Sequence, residues 1–144
     1  MDSPFDLISR RDAGHVRVSF TTYYDQPLPE LLKRFGLGSK EFPSPRLRDI
    51  SREEASHILM SLLRLDMAYH AQLMSEGDAE VLARRFLDQF PSEGTRFVTN
   101  LGKAQNINRP FDVDSSPMTQ STFDGGVICL AKPVAGCVWF EDED

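Results

Sequence analysis

The chain has 144 residues, 40% hydrophobic and 26% charged, with a formal net charge of -6. That length can bury a core without metal or disulfide help, and the composition excludes an intrinsically disordered chain. The charge is one-sided: residues 1–72 carry ten Lys/Arg against ten Asp/Glu, and residues 73–144 carry six against twelve. Phosphate neutralisation needs a basic surface, so nucleic acid is not an expected partner, whereas a basic protein surface is.

The chain opens on Met1-Asp2-Ser3-Pro4-Phe5-Asp6, which lacks the basic and apolar segments of a secretion leader, and no apolar run approaches the ~20 residues of a membrane span. One cytoplasmic domain over residues 1–144 is expected. Phe5–Ile8 is a short apolar patch before a turn at residues 10–14. Val16–Phe20 alternates apolar and polar, as a strand with one buried face does. Pro29 suits a first helical turn; Leu31, Leu32 and Phe35 share a face before Gly36 stops a helix of about two turns. Residues 36–48 contain two glycines and two prolines and read as an irregular connection, and as a candidate binding loop.

Ser51-Arg52-Glu53-Glu54 is a capping box, in which Ser51 accepts from the amide of Glu54 and the Glu54 side chain reaches back. Behind it Ala55, Ile58, Leu59, Leu62, Leu65, Tyr69 and Leu73 keep helical spacing. Ser75–Asp78 resets the cap for a second helix carrying Ala79, Leu82, Ala83, Phe86, Leu87 and Phe90, which Pro91 ends. The short break predicts a helical hairpin. Arg96–Asn100 reads as a strand. Residues 101–120 are polar and rich in Asn, Ser and Pro, either a functional loop or an ordinary crossover.

Residues 122–144 organise the rest. Two β-branched and aromatic runs flank Lys132-Pro133-Val134-Ala135-Gly136, a hairpin signal. Val127–Leu130 is continuously apolar, so its strand is central and covered on both faces. Asp124-Gly125-Gly126 lacks the glycine spacing, lysine and helix of a phosphate cradle, and reads as a turn or bulge. Strands and helices are segregated along the chain rather than alternating. The expected fold is therefore α+β, a mainly antiparallel sheet with the helical hairpin packed on one face.

Chemistry-bearing residues are few. Cys129 and Cys137 flank the hairpin corner, where a favourable register would allow a cross-strand disulfide; the alternative is two small buried residues in a reducing compartment. His57 sits opposite the apolar stripe and is expected in solvent. Asp66 and His70 stand four apart, which on a continuing helix places them on one face at the edge of the stripe. Either Asp66 pairs with His70 or with an arginine from another element to lock the helix in place, or the two are the acid and base of a small enzyme. No nucleophile accompanies them in sequence, and no metal or cofactor is expected. Glu141, Asp142, Glu143 and Asp144 form either a solvated terminus or a rim of carboxylates facing a cationic partner, with Trp139 as an apolar anchor and Asp124 nearby.

Arg96–Asn100, Thr122–Val127 and the terminal Val138–Asp144, in a small acidic α+β chain, together resemble bacterial immunity proteins encoded beside toxins of type VI or contact-dependent secretion systems. The resemblance implies a non-enzymatic inhibitor that binds a cognate toxin and occludes its active site. The alternatives are the Asp66/His70 enzyme and an adaptor or chaperone for a secreted effector.

Overall fold

The computed structural model describes residues 8, 11, 14–37, 47–69, 71–102, 119 and 123–142. Among these residues five strands and three helices are bounded, in the order β1 (His15–Thr22), α1 (Leu28–Arg34), β2 (Arg48–Ile50), α2 (Arg52–Arg64), α3 (Glu76–Leu87), β3 (Arg96–Thr99), β4 (Phe123–Ala131) and β5 (Val134–Asp142). The strands form one sheet, β1-β5-β4-β3-β2, in which every pairing is antiparallel. The α+β expectation is met, and the continuously apolar β4 is the central strand.

Alternation along β4 divides the core in two. Val127, Cys129 and Ala131 join Leu59, Leu62, Leu63, Phe86 and Leu87 of the α2–α3 hairpin. Ile128 and Leu130 join Trp139 and, from α1, Leu31 and Leu32, with Phe35 just beyond it. Helix α1 begins at Leu28 with Pro29 in its first turn, and Gly36, at a φ of 75, ends the segment in the left-handed region. The sheet is thus sandwiched between the long helical hairpin and a short helix, and Leu62, Phe86, Trp139 and Phe140 are fully buried. Burial of each such side chain contributes roughly 1.5–3 kcal/mol.

The helix starts follow their caps. Ser51 Oγ accepts from the Glu54 amide at 3.0 Å, and Ser75 Oγ from that of Asp78 at 3.1 Å. The Glu54 carboxylate, expected to turn back on Ser51, instead pairs with Arg48 at 2.7 Å, just outside the helix. The α2 stop differs more. The apolar spacing runs on to Leu73, but the helix ends at Arg64 and Leu65 is extended. Asp66 is the cause: its carboxylate accepts from the amides of Tyr69 at 2.5 Å and Ala71 at 3.2 Å, an alternative to helical hydrogen bonds that aspartate offers readily. Leu73 N then returns to Arg64 O at 2.6 Å, closing a compact loop that leaves Tyr69 72% exposed.

Two other expectations change. Strand β2 lies at the end of what reads as an irregular connection; its three residues pair with β3. Asp124-Gly125-Gly126 is neither turn nor bulge but regular strand, in register with Glu141, Phe140 and Trp139 of β5 in that order. A Cβ on Gly126 would stand 2.1 Å from Val138 O and 2.7 Å from the Trp139 ring, so close approach requires glycine there.

Candidate functional site

The register brings most of the sequence-derived candidates to one end of the sheet. Asp124 faces Glu141 directly across β4 and β5, and Trp139 shares their face. Two carboxylates opposite each other repel unless each is offset. The Asp124 offset is hydrogen bonding: Oδ1 accepts from Asn100 Nδ2 at 3.1 Å and Trp139 Nε1 at 3.3 Å, Oδ2 from the Thr119 amide at 2.9 Å and hydroxyl at 2.8 Å. Glu141 is offset by the charge of Arg17, whose Nη2 lies 2.8 Å from Oε1.

Asp142 points to the opposite face. Its carboxylate takes a two-pronged contact from Arg11, Nη1 to Oδ1 at 2.6 Å and Nη2 to Oδ2 at 2.7 Å, and accepts from the Met67 amide at 2.8 Å. The same guanidinium donates to the carbonyls of Leu62 at 2.6 Å and Leu65 at 3.1 Å, satisfying groups that the end of α2 leaves without helical partners. Its carbon lies 5.2 Å from the Phe140 ring centroid.

These positions correct the picture of a solvated acidic terminus with an apolar anchor. Glu141 and Asp142 are residues of β5, 8% and 2% exposed, and Trp139 is fully buried. The strand continues past the tryptophan because both carboxylates find arginines from the first half of the chain. Glu143, Asp144 and His70 lie outside the described residues, as do 38–46 and 103–118 of the two candidate loops. Asp66 is buried but lies beyond the end of α2, so it stands on no helix face; its oxygens hold the loop amides.

The cysteines do not face each other. Cys129 stands opposite Gly136 and Cys137 opposite Ile128, on different faces of the sheet. Both are free and buried, and burial pushes both thiols well above their ordinary range, which disfavours the thiolate a nucleophile needs. Among the described residues no group of three or more His, Cys, Asp or Glu could hold a metal ion. None of the described helices is long and apolar enough to cross a membrane.

Sequence reasoning misses Arg11 and Arg17, because their partners lie more than 120 positions away and no spacing rule reaches that far. It also misses an open groove of about 480 Å³ between α2 and α3. Met60 and Leu87 line it with Glu53 and the solvent-exposed His57 on one side, and Glu80, Arg84 and Asp88 on the other. Arg52 closes one end, donating to the carbonyls of Leu87 and Phe90 at 2.9 Å and Pro91 at 2.6 Å. No protein-family model matches the chain, and neither the characterised proteins nor the solved structures include a significant match.

Proposed function

We propose that this chain is a cytoplasmic immunity protein that binds a cognate secreted toxin and blocks its active site. The observation that supports the reading most is where the surplus negative charge lies. Asp142 and Glu141 are each balanced by an arginine. The helical hairpin and its flanks, residues 51–93, carry eight carboxylates against four arginines, and of those eight only Asp66 is buried. A packed sheet holding an acidic helical layer is a preorganised surface for a basic protein, and complementary charge speeds encounter with such a partner. A toxin whose active site handles a phosphate-bearing substrate would present such a basic face.

The test is co-expression with the product of the adjacent gene. That product alone should arrest growth, and this chain should restore growth and co-elute with it as a stoichiometric complex. Growth arrest that persists despite a stable complex would make the chain an adaptor. Absence of a complex would end the immunity reading.

A further inference from the structure

We infer that the groove between α2 and α3 is the partner-contact surface, and that it takes a basic protein segment carrying an apolar side chain. This rests on the reading of the chain as a toxin-binding protein. Of the groove's two arginines, Arg84 lies 2.6 Å from Glu80, while Arg52 is turned to three backbone carbonyls, leaving three carboxylates against two guanidinium groups in the lining. Among the described residues, Glu53 and Asp88 have no cationic partner within ion-pair distance. The groove therefore offers unmatched negative charge on both walls.

Asp88 is the more telling of the two. It occupies the C-cap of α3, where the helix dipole is negative and a carboxylate is disfavoured. An incoming lysine or arginine would relieve both the carboxylate and the dipole. Between the charged walls lie Met60, partly buried and adaptable in shape, and Leu87. Val81, 42% exposed, stands seven residues before Asp88 on the same flank of α3. An apolar centre bordered by charge is the arrangement that concentrates binding energy at protein interfaces. The chemistry fits a segment with basic residues on either side of a leucine-sized side chain.

The experiment has two arms. In the first, wild type, Glu53→Lys/Asp88→Lys and the control Glu30→Lys/Asp49→Lys, both exposed positions outside the helical hairpin, are compared for affinity to the adjacent gene's product, after circular dichroism confirms equal folding. The control shifts net charge equally, away from the groove. The groove variant should lose at least 30-fold in affinity while the control loses less than 5-fold. Equal losses, or a groove variant that binds like wild type, would overturn the groove assignment and leave the immunity reading standing. In the second arm, a synthetic 14-residue leucine–lysine amphipathic peptide is titrated against the labelled protein, with a leucine–glutamate peptide as control. Shifts centred on the Met60 methyl and the His57 imidazole, with the lysine peptide only, support the groove even if the adjacent product fails to bind. Shifts elsewhere, or none, overturn it.

Discussion

Arg11 and Asp142 lie 131 positions apart and meet as a buried two-pronged ion pair, their side chains 0% and 3% exposed. The pair joins three distant parts of the chain: Arg11 near its start, the end of α2 through the Leu62 and Leu65 carbonyls, and the end of β5. Separating such a pair leaves a desolvated charge behind. Asp142→Asn should therefore destabilise the protein by about 3–5 kcal/mol in urea unfolding. The Arg11→Met/Asp142→Leu double variant should be more stable than Asp142→Asn alone, because it buries no unpaired charge. A fully tolerated single variant would mean that the pair does not form in solution.

Leu62 is fully buried at the centre of the α2 face, among the side chains of α3 and β4. Leu62→Ala should cost about 2–5 kcal/mol, as lost burial plus residual cavity. A thermal midpoint unchanged within error would show that this face does not pack on the sheet.

Trp139, the single tryptophan, reports directly on the Asp124 network because its indole donates to Oδ1 at 3.3 Å. Asp124→Asn places an NH2 group against one of the donors that now surround the carboxylate. The expected result is about 1–3 kcal/mol of destabilisation together with an altered tryptophan emission maximum in the folded state. Unchanged emission in a destabilised variant would separate the indole from the network.

The two thiols set an alkaline limit. Burial raises both above the ordinary value of 9.0, so on raising the pH the unfolded chain loses its thiol protons first. Their contribution is complete below that unfolded value, and stability falls as pH climbs beyond it, by up to about 1.4 kcal/mol per pH unit for each thiol. Chemical denaturation at pH 8, 9 and 10 should show a steeper decline for wild type than for Cys129→Ala/Cys137→Ala. Parallel slopes would mean that the thiols already ionise in the folded protein.

Much of the fold is legible along the chain because the signals are local. The alternation in β1, the Pro29-to-Gly36 frame of α1, the two serine caps and the apolar run of β4 each depend on neighbours within a turn or a strand. Misjudged features are those where local signals compete. Helical apolar spacing continues past Arg64, yet the Asp66 side chain captures two amides and ends α2. Asp124-Gly125-Gly126 has turn composition, yet the Trp139 ring lying against Gly126 makes it strand.

The sequence by itself determined the α+β class and the centrality of β4, because periodicity and hydrophobicity decide which side chains leave water. Only the tertiary structure decided what the acidic residues do. Carboxylates look alike in sequence, and whether one is surface charge or internal fastening depends on cations brought from far along the chain. Arg11 and Arg17 draw Asp142 and Glu141 into the core, so among the described residues the exposed carboxylates gather on α2 and α3 rather than at these two positions of β5. Long-range pairing of this kind follows from sheet register and helix placement, which no local pattern encodes.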